Sequence, residues 1–429
     1  MKKEAIISYY KKLEKKYSPS GVDYSTYTTP VNFKESLQTP IHRWYGYKEG
    51  FSPSFVSGFI DEFSTDKNSV IFDPFGGVGT TGLVAISKNR MAYLMDVNPL
   101  GILASRVKTK NFSHDELNNI KMIRSNWEDT QDYEHLLDIP NETVKKYFDP
   151  ITLIALLKVR SMIMDLEEGI TRDVYLLALL SIIEQISTHH KNGNGVKRKR
   201  IIPPPLSFIE LKTCLLKRID LFVSDIESST ISERCEVLKH SNLEAYILPH
   251  KIDIVLTSPP YPNCFDYSKV YLTELWVGGF FQEKTDQTAF REQSVISHVH
   301  YRWTERNSDY KSPTIENIIL PVLRTQNLWS ANIPQMLSGY FSDLGKCLYN
   351  ISQNLNKGAT VGFVVGNSVY GGIPIATDII LAEMAEKLGY KCSAVRVYRK
   401  VIASSQQMVL LNEEEKHYVR ESLVILKWE

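Results

Sequence analysis

The feature that most constrains the fold is a short apolar strand that leads into a glycine-rich turn and then into a helix. The strand Val70-Ile71-Phe72 is followed by Asp73-Pro74-Phe75-Gly76-Gly77-Val78-Gly79-Thr80-Thr81-Gly82. A helical pattern over 79–88 and a second apolar strand, Arg90 to Met95, complete a βαβ unit that closes on Asp96. Strands and helices in this alternation predict an α/β sheet.

The glycine turn is also a predicted ligand site. Glycines let a backbone approach a ligand closely, and the N-terminus of the following helix faces that ligand. Asp96, at the end of the second strand, can accept two hydrogen bonds from ribose hydroxyl groups. We therefore expect cofactor contacts from the turn and its flanks, namely Asp73, Pro74, Phe75, Gly76, Gly77, Gly79, Thr80, Thr81 and Asp96.

Two classes of cofactor fit this turn. Gly77-x-Gly79-x-x-Gly82, with Asp96 nineteen residues beyond Gly77, matches the dinucleotide fingerprint and keeps an NAD-dependent oxidoreductase open. Asp73, however, places a negative charge at the strand tip, where a pyrophosphate would bind. That charge favours a cationic or amino-bearing ligand, such as the methionine part of S-adenosylmethionine. A P-loop is excluded because no Gly-Lys-Ser/Thr follows the glycines.

A second loop carries the candidate catalytic residues. Thr257-Ser258-Pro259-Pro260-Tyr261 follows Ile252–Leu256, the clearest buried strand in the sequence, and ligands bind at such strand ends. Consecutive prolines fix φ and donate no N–H, so they present rigid carbonyl acceptors. Ser258 and the Pro259 carbonyl can accept the two protons of an exocyclic amino group, while Tyr261 offers a ring for base stacking. This arrangement suits methylation of the nitrogen by direct displacement, which needs positioning more than a strong base.

The two loops together resemble those of the amino-group DNA methyltransferases, over roughly residues 38–100 and 235–429. The segment 42–53 is similar to the family segment that closes over the methionine end of the cofactor, which implies a pocket contact from Trp44. Strand patterns at 360–365, 393–398 and 422–427 suit the family's last three strands. The resemblance implies a Rossmann-like seven-stranded methyltransferase sheet, S-adenosylmethionine as methyl donor, and a target base flipped out of double-stranded DNA.

The resemblance also bears on the target base. In this family a Ser at the first catalytic position usually accompanies cytosine N4, whereas Asp or Asn usually accompanies adenine N6, so Ser258 favours cytosine. One departure is the segment Lys239-His240-Ser241-Asn242-Leu243, where many relatives carry an acid near the adenine of the cofactor. Ser241 and Asn242 are the candidate substitutes for that acid.

The chain divides into three predicted regions. Residues 1–110 hold the N-terminal segment and the cofactor-binding half of the methyltransferase domain. Residues 111–235 form a mainly helical insertion, which is the candidate target-recognition region. Residues 236–429 form the catalytic half, with a DNA-facing loop at about 283–335.

Basic residues in two segments are candidate DNA contacts. The stretch 189–200 is predicted to be an exposed loop containing glycine, and 298–329 interleaves basic with aromatic residues. A solvated surface loop in the first segment, and a loop packed on the sheet in the second, are the alternatives. The predicted phosphate contacts are Lys191, Lys197, Arg198, Lys199, Arg200, Arg302 and Arg306.

Composition bears on the kinds of site that the chain can carry and on where the protein is found. The formal net charge is +1, so any basic surface must be local, and five scattered cysteines without a C-x-x-C pair argue against disulfides and structural zinc. We expect no metal site. Without a signal-peptide core or an apolar run of spanning length, we expect a cytoplasmic protein that makes no membrane contact. The open alternatives are adenine-N6 or RNA methylation, NAD-dependent oxidation, and a DNA-binding protein with a decayed methyltransferase fold; a cognate restriction endonuclease is a candidate partner.

Overall fold

The computed structural model describes residues 3–19, 31–64, 66–193, 195–229, 234–301, 303–304, 306–400 and 405–429. Strands occur at each of the positions that the sequence predicts. They are β1 (Ile71–Asp73), β2 (Ala92–Asp96), β3 (His189–Asn192), β4 (Gly195–Arg198), β5 (Cys235–Lys239), β6 (Ile252–Thr257), β7 (Leu355–Gly366), β8 (Ser368–Tyr370), β9 (Ile373–Ile375), β10 (Tyr390–Lys400) and β11 (Arg420–Trp428).

Many helices begin where the sequence supplies a capping side chain. Ser52, Asn98 and Asp149 each precede a proline and accept a backbone N–H with their side chains. Ser113 and Ser207 begin helices with capping boxes. The α-helices are α1 (Lys3–Tyr17), α2 (Pro53–Phe63), α3 (Thr80–Ser87), α4 (Pro99–Thr109), α5 (His114–Glu128), α6 (Glu142–Lys145), α7 (Pro150–Met164), α8 (Ile170–Ile186), α9 (Phe208–Ser228), α10 (Tyr267–Val270), α11 (Leu272–Val277), α12 (Lys284–Gln293), α13 (Leu320–Leu323), α14 (Ile333–Ser352), α15 (Thr377–Lys387), α16 (Ser405–Met408) and α17 (Glu413–Lys416).

Seven strands form one sheet in the order β10-β11-β7-β6-β1-β2-β5. Strands β5, β2, β1, β6 and β7 are parallel to one another, whereas β11 is antiparallel to both β7 and β10. This is the Rossmann-like seven-stranded sheet that the sequence predicts. The strand order reverses between β1 and β6, and a ligand crevice is expected at the carboxyl ends of strands at such a point.

Helices cover both faces of the sheet. On one face, Phe59 of α2 and Val84 of α3 pack in a cluster with Ile71 of β1. On the other face, α1, α14 and α15 pack in a cluster with Phe72 and Val255. A further core joins α4, α7, α8, α9 and α11, and helices α5 to α9 lie in sequence between β2 and β5. Helices on both faces leave the rim of carboxyl ends as the place for a site.

The structure differs from the sequence interpretation in three segments. The basic stretch predicted as a loop is an antiparallel hairpin of β3 and β4, with His189 paired to Arg198. Residues 268–281, whose sequence suits a single helix, instead contain two short helices, α10 and α11. The segment 283–335 contains α12, α13, a 3-10 turn at Ser308–Tyr310 and a π turn at Ile315–Ile319. Over the described ranges, every helix is too short or too polar to cross a membrane.

Candidate active site

The glycine turn is held against β2 by hydrogen bonds. The Gly76 N–H donates to the Met95 carbonyl at 2.9 Å, and the Gly77 N–H donates to Asp96 Oδ2 at 2.8 Å. Gly77 has a φ of 50°, a conformation that favours glycine. Asp96 Oδ1 accepts the Asn98 N–H at 2.8 Å, so one carboxylate fixes both the turn and the start of α4. Burial raises the pKa of Asp96 to about 6.

Asp73 joins the glycine turn to the catalytic loop. Its Oδ1 accepts the Phe75 N–H at 3.1 Å and the Thr257 hydroxyl at 2.7 Å, and its Oδ2 accepts the Thr81 hydroxyl at 2.7 Å. Asp73 is 1% exposed, and this burial raises its pKa to about 6. The two loops therefore lie side by side, as the pairing of β1 with β6 requires.

A cavity of about 990 Å³ opens where β1, β2, β5 and β6 end. Gly77 and Ser258 both line it, so the two loops share one ligand space. Gly79, Pro259 and Tyr261 are not among its lining residues. The predicted residues on the wall are Asp73, Pro74, Phe75, Gly76, Gly77, Thr80, Thr81, Asp96, Ser258 and Pro260.

Sequence reasoning missed part of this wall. Asn98 could have been found, because an Asn-Pro pair directly after a strand marks the start of a helix. Residues 240–243 follow β5 and include both candidate substitutes for the missing acid. The remaining wall residues carry no motif. The wall residues that lie outside the predicted cofactor and catalytic segments are Val97, Asn98, Asp266, Tyr267, Phe290, Arg291, Gln293, Ser294, Val295, Ser297 and His298.

The segment 42–53 reaches the cavity, but not through Trp44. The Trp44 indole is 1% exposed, stacks on Phe222 with ring centroids 4.5 Å apart, and donates its Nε1–H to Asp225 at 2.9 Å. Tyr47 instead contacts the turn, where a Cβ on Gly77 would come within 3.2 Å of the Tyr47 ring. The prediction for Trp44 is therefore corrected: its large apolar ring anchors the segment in the core, and Tyr47 lines the cavity.

The wall combines negative charge with unused donors. Glu49 accepts a hydrogen bond from the Tyr271 hydroxyl, and burial raises its pKa. The wall carries three further carboxylates, Asp73, Asp96 and Asp266, of which Asp266 is paired with Arg291 at 2.8 Å. The side-chain Nδ2 atoms of Asn98 and Asn242 are buried without a hydrogen-bond partner in the part of the chain that the structure describes. A ligand with cationic groups, hydroxyl groups and ring-nitrogen acceptors complements this set, and S-adenosylmethionine has all three.

The catalytic loop presents one hydroxyl group to the cavity. Ser258 lines the wall, and its Oγ lies 3.2 Å from the Tyr261 hydroxyl. That hydroxyl lies 3.1 Å from Glu421 Oε1 on β11. The Tyr261 ring packs against Gly366, where a Cβ would come within 2.6 Å of the ring. The structure thus gives Tyr261 a contact behind Ser258, and base stacking by its ring stays a prediction.

The basic hairpin presents part of its predicted charge to solvent. Lys197, Arg198 and Arg200 are exposed. Lys199 is half-buried, because its Nζ donates to the carbonyls of Glu184 and Gln185 at 2.6 and 3.1 Å. Lysine in this position stabilises the C-terminus of α8, which corrects the prediction of a phosphate contact for Lys199.

Lys191 is also used inside the protein. Its side chain is 13% exposed and pairs with Glu274, which is 2% exposed. Its Nζ lies 3.6 Å from Glu184, 3.3 Å from the Tyr45 hydroxyl and 4.7 Å from the centre of the Tyr271 ring. A cation held by these groups is not available to a phosphate, so the prediction for Lys191 is corrected.

Arg306 has a structural role as well. Its Nε donates to Asp343 Oδ1 at 3.1 Å, and one terminal nitrogen lies 2.8 Å from Asp343 Oδ2. The guanidinium also donates to the carbonyls of Glu292 and Ser294. These contacts fix the segment beside α12 to α14, which replaces the predicted phosphate contact. Arg302, the remaining candidate, lies outside the described residues.

Comparisons with known proteins agree with this geometry. The family described as DNA methylase, N6_N4_Mtase, matches residues 3–101. The chain is 26% identical over 462 residues to Type II methyltransferase M.BsoBI of Geobacillus stearothermophilus, covering 92% of this chain and 88% of that protein. It is 24% identical over 416 residues to Type II methyltransferase M.AvaI of Nostoc sp., covering 88% of this chain and 85% of that protein.

A solved structure, the rRNA methyltransferase aviRa from Streptomyces viridochromogenes, aligns over 94% of this chain and 96% of that chain at 9% identity and a TM-score of 0.30. The fold assignment rests on the strand order and not on this alignment. The sequence matches favour the methyl donor over NAD as the ligand of the glycine turn. Over most of its length the chain is similar to methyltransferases of the N4/N6 amino-methylase type, and methyltransferases of this type use S-adenosylmethionine as methyl donor.

Proposed function

We propose that the protein is a site-specific DNA methyltransferase that methylates the exocyclic N4 of cytosine in a base flipped out of the duplex. The observation that carries this proposal is the shared cavity, in which Ser258 and the glycine turn line one space. The relatives named Type II methyltransferases support a role in restriction–modification. We infer in addition that a cognate endonuclease acts on the same site.

The chain's own residues account for cofactor binding. Asp96 has the position of an acceptor for ribose hydroxyls, and the Asn98 and Asn242 amides are free donors for ring nitrogens. Glu49 and Asp73 give the wall a negative potential that suits cationic groups. When bound, S-adenosylmethionine supplies an electrophilic methyl group on a sulfonium.

The catalytic loop accounts for the acceptor of the methyl group. Ser258 Oγ accepts a hydrogen bond from one N–H of the amino group. The Pro259 carbonyl is the candidate acceptor for a hydrogen bond from the second N–H. With both N–H groups engaged, the nitrogen lone pair is directed at the methyl group, and the reaction depends on positioning and electrostatics. As the N–C bond forms, the methyl–sulfur bond breaks, S-adenosylhomocysteine is the leaving group, and the methylated nitrogen releases one proton to solvent. The choice of cytosine rests on the family resemblance of a Ser at this position.

The substrate must leave the base stack to reach this wall. Extrusion of a base from duplex DNA costs a few kcal/mol, which contacts to the phosphate backbone help to offset. The exposed cations of the hairpin, Lys197, Arg198 and Arg200, are the candidate backbone contacts.

Methyl transfer to bulk DNA tests the proposal without knowledge of the recognition sequence. Unmethylated DNA and, in a parallel reaction, RNA are incubated with the protein and S-adenosylmethionine carrying a labelled methyl group, then digested to nucleosides for mass spectrometry. We expect labelled N4-methyldeoxycytidine, and its loss in Ser258→Ala with retained cofactor affinity. Labelled N6-methyldeoxyadenosine would overturn the cytosine assignment, and label in RNA alone would overturn the DNA substrate.

A further inference from the structure

Ser258 stands at one end of a hydrogen-bond chain that leads away from the cavity. The chain passes from Ser258 Oγ to the Tyr261 hydroxyl at 3.2 Å and on to Glu421 Oε1 at 3.1 Å. Glu421 is 5% exposed, and Arg399 of β10 donates to its two oxygens at 2.6 and 3.3 Å. Ser258 lines the cavity, whereas Tyr261 and Glu421 are not among its lining residues. The hydrogen-bond chain therefore connects the reacting wall to a buried carboxylate, Glu421, which pairs with Arg399, an arginine whose side chain is 60% exposed.

The chemistry of these groups fixes the direction of each hydrogen bond. A carboxylate only accepts, so the Tyr261 hydroxyl must donate its one proton to Glu421. The Tyr261 oxygen then accepts the one proton of Ser258. Burial beside Glu421 raises the pKa of Tyr261, which keeps the phenol proton in place. Ser258 Oγ is left with lone pairs alone towards the cavity.

We propose that Glu421 is a specificity-determining positioning residue, which acts through Tyr261 to make Ser258 an obligate hydrogen-bond acceptor. A base that presents an amino group to Ser258 donates a hydrogen bond to its Oγ. A base that presents a carbonyl oxygen, such as thymine or uracil, meets lone pairs with no proton between them. The inference rests on the proposed function, because it requires Ser258 to face the target base.

Glu421→Gln should reverse the direction of each hydrogen bond between residue 421 and Ser258, and it hardly changes the shape of the side chain. Arg399 can only donate, so it holds the Gln oxygen and turns the amide NH₂ towards Tyr261. The Tyr261 oxygen then accepts from the amide, and its proton points to Ser258, whose own proton turns to the cavity. A donor now opposes the amino group of the base. We expect the single-turnover rate of methyl transfer to fall on the order of 100-fold, with unchanged affinity for S-adenosylhomocysteine.

Tyr261→Phe separates this role from simple support of the loop. The substitution removes both hydrogen bonds, but it frees Ser258 to turn its lone pairs to the base. We therefore expect a loss of only about tenfold, smaller than that of Glu421→Gln. The double variant, Tyr261→Phe with Glu421→Gln, should have the rate of Tyr261→Phe alone. Without the Tyr261 hydroxyl, the change at position 421 cannot turn a proton towards Ser258. A supporting role for Glu421 predicts the opposite, an additive loss.

Glu62→Gln is the matched control. Glu62 of α2 accepts two hydrogen bonds, at 2.6 and 2.8 Å, from Arg396, which lies on β10 as Arg399 does. The two Arg–Glu pairs are therefore of the same kind. Its rate should equal that of the native protein. Full activity of Glu421→Gln, or a double variant no faster than Glu421→Gln, overturns the inference. If Glu421→Gln fails to fold, a fully active Tyr261→Phe overturns it. A native protein that transfers no methyl group to DNA overturns the proposed function itself.

Discussion

A methyl group at position 101 tests whether the glycine turn must keep its place to hold the cofactor. Gly101 lies in α4, and a Cβ there would come within 2.6 Å of the Gly77 carbonyl oxygen and 3.2 Å of the carbonyl carbon. Both atoms belong to the backbone, so no change of rotamer relieves the contact. In Gly101→Ala, the turn or the helix must move by about 0.8 Å or more to reach an ordinary contact distance.

Two opposing contributions decide the size of the effect. Replacing Gly by Ala inside a helix stabilises the fold by about 1 kcal/mol, whereas overpacking costs about 1–3 kcal/mol. The free energy of unfolding should therefore change little or fall by up to about 2 kcal/mol. Displacement of the turn also weakens the 2.8 Å hydrogen bond from Gly77 to Asp96. We expect the Kd for S-adenosylhomocysteine to rise about tenfold, or about 1.4 kcal/mol.

Calorimetric titration measures this Kd, and thermal denaturation measures stability on the same preparations. Gly195→Ala is the control, because a Cβ at Gly195 meets nothing within 4 Å. Its affinity for S-adenosylhomocysteine should equal that of the native protein. A Gly101→Ala protein with native Kd and a raised melting temperature would refute the reasoning, since the turn could then shift without loss of binding.

Three further predictions follow from charged groups. The pKa of Asp96 is raised to about 6 by burial, and protonation removes an acceptor for ribose hydroxyls. Affinity for S-adenosylhomocysteine should therefore fall as the pH is lowered through this value, and Asp96→Asn should have low affinity with most of that pH dependence removed. Lys191→Met leaves a buried carboxylate without its cation, and denaturant unfolding should show a loss of about 3–5 kcal/mol. Alanine substitution of the exposed hairpin cations, Lys197, Arg198 and Arg200, should weaken DNA binding uniformly across sequences. The slope of log K against log salt concentration should fall by about 0.9 for each lost phosphate contact. An unchanged slope would remove the hairpin from the interface.

The central part of the site could be predicted because it depends on local sequence. A buried strand that ends at glycines, or at Ser-Pro-Pro-Tyr, has few backbone conformations open to it. Parallel strands in one sheet then bring their carboxyl ends to the same rim. Ser258, Gly77 and Asp96 therefore meet at one cavity, although the sequence separates the first two widely.

What could not be predicted depends on partners distant in sequence. Strand β5 gave little apolar signal because its residues are only half-buried or exposed at the edge of the sheet. Lys191 and Lys197 look alike in the basic run of the sequence. Only the position of Glu274, distant in sequence, makes Lys191 the partner in an internal ion pair, while Lys197 stays exposed. Trp44 and Tyr47 are both buried aromatic residues of one segment. Which of them lines the cavity depends on Asp225 in α9, which accepts the hydrogen bond from the Trp44 indole.

Asp73 shows how one side chain can make two distant loops act as one site. The sequence suggested that its charge serves a ligand, but its carboxylate already accepts three hydrogen bonds from the chain. Two of these donors are Thr81, in the first turn of α3, and Thr257, the residue before Ser258. The carboxylate thus sets the separation between the cofactor turn and the catalytic hydroxyl, which an acid that only attracted a cation would not need to do. Because these same contacts hold the charge at the cavity wall, the structural role and the electrostatic role of Asp73 have a single cause.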